Sequence, residues 1–175
     1  MIFSETKLSG AYIVEIEKIK DERGFFARTW DKGEFSKRGL GSEFVQTSIS
    51  LNKKKGTIRG MHYQTKPYEE NKIVRCTKGR IFDVIIDLRP DSKTFKKWHS
   101  VELSETNYKM LYIPKGFAHG FQTLEDNSEV FYQISQYYNS KYSRGVSCND
   151  KTFQIKWPLE ITVISQKDSS HPIFS

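Results

Sequence analysis

At 175 residues the chain has the length of one ordinary domain, and residues 1–175 are read as a single unit. Apolar residues make up only 37%, but 12 Phe, 9 Tyr and 3 Trp supply enough large rings for a core, and 11 Gly and 5 Pro without a repeat exclude collagen-like and low-complexity chains. The formal charge of +7 favours an anionic partner and is compatible with a phosphorylated small molecule; the one basic run, Lys53-Lys54-Lys55, reads as a solvated loop, so no nucleic-acid partner is expected.

Tyr12 to Glu17 alternates as a strand does, and Asp31 to Arg38 is the one clear short helix of the first half. β-rich runs follow at Phe44 to Leu51, Ile73 to Thr77 and Ile81 to Leu88. The last two flank Lys78-Gly79-Arg80, where Gly79 can take the positive φ of a tight reversal, and together they predict a hairpin. Shorter strands are expected at His99 to Leu103, Met110 to Ile113 and Phe117 to Leu124, and a longer one at Glu129 to Tyr138. Many short strands with frequent turns and few helices predict an antiparallel sandwich or barrel.

The longest apolar run, Ile81 to Leu88, is cut by Asp83 and Asp87 and falls far short of the ~20 residues of a membrane helix, so no membrane partner is expected. Glu5 and Lys7 interrupt any signal-like start, which makes a cytoplasmic location the expectation. Cys76 and Cys148 stand far apart with no C-x-x-C spacing, which gives neither a disulfide framework nor a zinc knuckle.

Three segments carry residues suited to chemistry. In Gly56 to Gln64, strand alternation puts Ile58, Gly60, His62 and Gln64 on one face and Arg59, Met61 and Tyr63 on the other. If the first face lines an interior, His62 points inward beside Gln64, as a hydrogen-bonded structural residue or as a base. In Pro114 to Phe121, His119 stands between two phenylalanines and flanking glycines, where a ligand can approach closely or a loop can cap the ring. In Ser165-Gln166-Lys167-Asp168, Asp168 gains a role if folding brings it to His62, where a carboxylate would orient the ring and raise its basicity. A cupin-type metal site wants His-x-His; here Gln64 follows His62, and His62, Glu70 and His119 make a poor set, so no metal is expected.

Taken in order and spacing, Asp21-Glu22-Arg23-Gly24-Phe25-Phe26, Arg59-Gly60-Met61-His62-Tyr63-Gln64, Pro114 to Phe121 and Ser165 to Asp168 resemble the dTDP-4-dehydrorhamnose 3,5-epimerase family over nearly the whole chain. Asp83 to Arg89 and Trp157-Pro158 agree with the same pattern. The resemblance implies a cupin-type antiparallel β jelly roll and a homodimer with an exchanged N-terminal segment. It also implies a reaction without metal or organic cofactor, in which C3 and C5 of a nucleotide-linked 4-keto-6-deoxy sugar are inverted by proton removal and return next to the ketone.

Position by position, the resemblance implies that His62 is the base and Asp168 its orienting partner, that Lys72 holds the enolate oxygen, and that Tyr132 returns the proton. Arg59 and His119 would line the sugar and phosphate region, and Arg23 and Phe26 would reach in from the second subunit. Tyr138 would stack on the nucleobase, beside a wall formed by Gln46 and Lys167. Ser48 stands where the family often has Asn and Arg28 where many members have Glu; both fall in the expected nucleotide pocket, so the nucleobase is left open. Cys148 and Lys151 replace a common Trp and Pro ahead of Trp157. A monofunctional C3- or C5-epimerase, and a sugar-nucleotide-binding cupin without catalysis, are the alternatives.

Overall fold

The computed structural model describes residues 1–174; Ser175, the last residue of the expected domain, lies outside the described residues. In chain order the elements are β1 (Ile2–Glu5), β2 (Tyr12–Glu15), β3 (Ile19–Asp21), β4 (Gly24–Phe26), α1 (Lys32–Ser36), β5 (Gln46–Asn52), β6 (Thr57–Gln64) and β7 (Lys72–Lys78). They continue with β8 (Arg80–Asp87), β9 (Trp98–Ser104), β10 (Met110–Ile113), β11 (Phe117–Thr123), β12 (Ser128–Ile134), β13 (Ser143–Gly145), β14 (Val163–Ile164) and α2 (Gln166–Ser169). The first sheet runs β1-β2-β10-β7-β12-β5, the second runs β13-β6-β11-β8-β9 with β14 alongside β6, and β3 and β4 form a hairpin of their own.

The two large sheets face each other over a core in which Val74, Leu111 and Val130 of the first meet Ile81, Ile85 and Phe121 of the second. Strand alternation then fixes the outer faces. On β7 and β10, Ile73, Met110 and Tyr112 point away from this core and are covered by Phe35 of α1. On β8, Val84 and Ile86 point away and are covered by Val146 and Phe153 of the C-terminal third. Sheets covered on both sides explain why the β8 run is apolar without a break except at its two aspartates. α1 starts where expected: the Asp31 side chain accepts from Glu34 N, an N-cap that satisfies one of the free amides of the first turn.

The hairpin expected over Ile73 to Leu88 does not form. Gly79 does turn the chain sharply at a φ of +70°, but β7 pairs with β10 and β12 while β8 pairs with β11 and β9, so the chain changes sheets there. The inward Val74 and Cys76 of β7 pack in one core with Ile81 and Ile85 of β8, which sets the two runs in opposite sheets and not side by side. The two-sheet antiparallel architecture is that of the expected jelly roll. Among the described residues no helix is long and apolar enough to cross a membrane.

Candidate active site

Toward one end of the sandwich the inward-facing positions change from apolar to polar and line a cavity of about 330 Å³. One wall comes from the first sheet: Gln46 and Ser48 of β5, Lys72 of β7 and Tyr132 of β12. The facing wall comes from the second: Arg59 and His62 of β6 and His119 of β11. Tyr138 and Lys167 complete the lining from loops and α2.

Arg59 and His62 sit three residues apart on one strand, so simple alternation would put them on opposite faces, as the sequence reading had it. They share the cavity because the β6–β11 register slips: His119 pairs with His62 but Phe121 pairs with Arg59, which gives β6 one residue more than its partner. The extra length falls at Gly60 and Met61, and Met61 turns outward into the cluster beneath Val146 and Phe153. Gly60 has a φ of +124°, and a Cβ there would lie 2.5 Å from Gly120 Cα. Glycine is therefore required on both strands where they cross.

Asp168 joins His62 across 106 residues of chain. Its Oδ1 lies 2.8 Å from His62 Nε2, and its Oδ2 accepts from Gly60 N at 3.2 Å. Ser165 caps the short turn of α2 by accepting from Asp168 N, which aims the carboxylate at β6. Burial alone would raise the Asp168 carboxyl, but the hydrogen bonds from His62 and Gly60 hold it below the usual carboxylate range. Asp168 is thus an anion positioned on Nε2, and His62 Nδ1 makes no hydrogen bond among the described residues.

A second pair lies deeper. His119 Nε2 is 2.7 Å from Asp83 Oδ1 on the adjacent strand, and burial pushes the enclosed Asp83 carboxyl up. Asp83 shares the inward parity of Ile81 and Ile85, so a charged residue in an otherwise apolar strand could have signalled this partner. Tyr132 packs edge-on to His119 with ring centroids 6.2 Å apart, and burial raises its hydroxyl well above the ordinary tyrosine value. It keeps its proton at neutral pH. Lys72 Nζ is 2.8 Å from Glu70 Oε1, and Glu70 Oε2 in turn accepts from Gln64 Nε2 at 2.7 Å. Arg59 is steadied by donating from Nε to Asn52 Oδ1 at 2.6 Å.

Arg23, Phe26 and Arg28 are not brought to this cavity within one chain. Arg23 sits at the tip of the β3–β4 hairpin, paired with Asp21 at 2.6 Å, and Phe26 is 64% exposed. Arg28 lies 3.7 Å from Asp31, beside a separate surface hollow that includes Phe26 and Glu34. Two residues behind the cavity wall went unread in the sequence as functional neighbours: Asp83, bonded to His119, and His171, whose Nε2 is 3.6 Å from Asp168 Oδ1. The spacing of Asp168 and His171, three apart after a helical turn, was the signal available for the second.

The arrangement offers an imidazole held by a carboxylate on one wall, and an ammonium and a protonated phenol on the other. A family model described as dTDP-4-dehydrorhamnose 3,5-epimerase matches residues 5–175. The chain is 41% identical over 165 residues to a dTDP-4-dehydrorhamnose 3,5-epimerase of Shigella flexneri, covering 94% of this chain and 91% of that one. Among solved structures it is similar to a dTDP-4-dehydrorhamnose 3,5-epimerase of Bacillus anthracis with TDP and PPi bound (TM-score 0.95, 39% identity, 99% of both chains). It is also similar to a dTDP-6-deoxy-D-glucose-3,5-epimerase of Legionella pneumophila in complex with dTDP-4-keto-L-rhamnose (TM-score 0.92, 34% identity, 98% of this chain and 92% of that one).

Proposed function

The chain belongs to the dTDP-4-dehydrorhamnose 3,5-epimerase family, and we infer that it is a nucleotide-sugar epimerase of deoxysugar biosynthesis, acting beside the C4 ketone of a nucleotide-linked 4-keto-6-deoxyhexose. The observation that carries the reading is the placement of His62 and Tyr132 on facing sheets. A proton is removed from one face of a carbon and returned to the other, which a base and an acid on opposite walls can do without turning the sugar over.

We assign the steps as follows. His62 Nδ1, left free by the Nε2 contact to Asp168, takes the C–H proton next to the ketone, and the electron pair moves onto O4 as an enolate. Lys72, buried near its Glu70 partner, donates to that oxygen as its negative charge develops. Tyr132 gives its proton to the opposite face as the carbonyl re-forms, then regains one from water, while His62 loses the proton it took. Asp168 stabilises the imidazolium in between. Arg59 and His119 are assigned to the sugar and phosphate, and Gln46, whose Oε1 accepts from Tyr138 N at 2.8 Å, sets the Tyr138 ring at the cavity mouth for a nucleobase. Ser48 and Lys167 complete that wall.

We further propose a cytoplasmic homodimer. β5 is an edge strand of the first sheet, and its outward Ile49 and Leu51 are 63% and 50% exposed, which favours a second copy along that edge. β5 also forms one wall of the cavity, so the exposed β3–β4 hairpin of the second copy could deliver its Arg23 and Phe26 there, with Arg28 following. Two buried free cysteines, Cys76 and Cys148, suit a reducing compartment. Sedimentation tests the dimer: a stable monomer at micromolar concentration would remove the roles given to the hairpin.

The activity is tested by incubating the protein with a dTDP-linked 4-keto-6-deoxyhexose in D2O and following C3 and C5 by NMR. Deuterium entering with changed ring couplings is the expected result. Tight binding with no exchange at either carbon would leave a binding protein without catalysis.

A further inference from the structure

His171 stands against the site yet takes no part in the assigned reaction. Its Nε2 is enclosed and has no hydrogen-bond partner, and it lies 3.6 Å from the same Asp168 oxygen that holds His62 Nε2 at 2.8 Å. The two imidazoles meet edge to face with centroids 5.5 Å apart. The ring fits only because β13 passes with a glycine: a Cβ on Gly145 would fall 2.3 Å from His171 Nε2. Three ligand atoms, two imidazole nitrogens and one carboxylate oxygen, therefore lie within 4.8 Å of one another.

We propose that His62, Asp168 and His171 form a binding site for one divalent transition-metal cation such as Zn²⁺, and that the bound ion switches the epimerase off. Zinc sits about 2.0–2.1 Å from imidazole nitrogen and carboxylate oxygen, which puts neighbouring ligand atoms of a tetrahedron roughly 3.3 Å apart. The two separations from Asp168 Oδ1, 2.8 Å and 3.6 Å, bracket that value, and the two ring nitrogens, within 4.8 Å of each other, draw together to close the set. Two imidazoles and a carboxylate suit zinc, cobalt or nickel and are a poor match for calcium or magnesium. His62 lines the cavity, which leaves the remaining coordination position for water from that side.

The switching follows from the two nitrogens of His62 and rests on its assignment as the base. A metal on Nε2 displaces the Asp168 contact, and the neutral ring then carries its one proton on Nδ1, the nitrogen that must accept the substrate proton. The base is silenced without any change of fold.

The test uses the purified chain, freed of metal by chelation, with Co²⁺ as the spectroscopic probe and Zn²⁺ as the inhibitor. The expected result is a visible Co²⁺ absorption band saturating at one ion per chain, loss of turnover with equimolar Zn²⁺, and recovery on adding EDTA. His171→Leu, or His171→Asn if the first folds poorly by circular dichroism, should keep its turnover and lose both the band and the Zn²⁺ sensitivity. No one-to-one band in the wild type, or the same band in both His171 variants, would overturn the proposal. A band that depends on His171 while Zn²⁺ leaves turnover untouched would overturn the switch, and with it the assignment of His62 as base, while the metal site itself stood.

Discussion

Gly60 and Gly120 cross back to back, so closely that a Cβ on Gly120 would stand 2.6 Å from both Arg59 O and Met61 Sδ. That contact lets β6 carry its extra residue and turns Arg59 and His62 to the same side. Gly120→Ala therefore forces β6 and β11 apart at the cavity floor. Overpacking of this kind costs about 1–3 kcal/mol, measurable by urea unfolding, and here the loss of turnover should exceed what the unfolded fraction explains.

Asp168→Asn tests the orienting carboxylate. The amide can still contact His62 Nε2 but no longer offsets an imidazolium, so kcat should fall by about 10²–10⁴. KM should change little, because Asp168 lies behind His62, away from the space left for the sugar. A variant with wild-type kcat and a raised KM would place Asp168 in binding instead.

Tyr132→Phe separates the two halves of the reaction. With the base intact, solvent deuterium should still enter next to the ketone, returned from the side of His62, while inversion slows by about 10² or more. Equal loss of exchange and inversion would assign Tyr132 to the first proton transfer.

Asp87 gives a pH dependence away from the cavity. Burial would raise its carboxyl, but hydrogen bonds from Arg89, Ser92 and Thr94 more than reverse this and hold it below the ordinary value. A depressed folded-state pKa contributes stability that is fully present above the unfolded value of about 3.9 and is lost as pH falls through the lower, folded one. Asp87→Asn should cost about 2 kcal/mol at pH 7 and flatten the acid limb of the stability curve, read from urea midpoints at several pH values.

The long strands were legible as β-rich runs between turn signals, with Val74, Ile85 and Val130 on the inner face and Ile73 and Val84 on the outer one, whereas the short β1, β3, β4, β13 and β14 carry too few residues to show such a run. The helix read over Asp31 to Arg38 forms over Lys32–Ser36, with Asp31 as its N-cap. The hairpin at Gly79 was misread because a sharp reversal looks the same whether the chain stays in its sheet or leaves it, and only the packing of Val74 and Cys76 with Ile81 and Ile85 in the core between the sheets decides. Arg59 was placed on the wrong face because a register slip leaves no mark in a period-two count except the glycine that permits it. The meeting of His62 with Asp168 is a product of tertiary folding across 106 residues, and the resemblance to a family, not the spacing, pointed to it. Asp83 could have been found from its charge inside a buried strand, whereas the free Nε2 of His171 depends on Gly145 arriving from another strand.

The central claim is that His62 is the base, and the most direct measurement is deuterium entry from D2O into a dTDP-linked 4-keto-6-deoxyhexose, wild type against His62→Ala. The account predicts a folded variant that binds the nucleotide sugar but exchanges next to the ketone at least about 10²-fold more slowly than the wild type. Exchange at the wild-type rate in His62→Ala would contradict it and send the search for the base to another residue of the cavity.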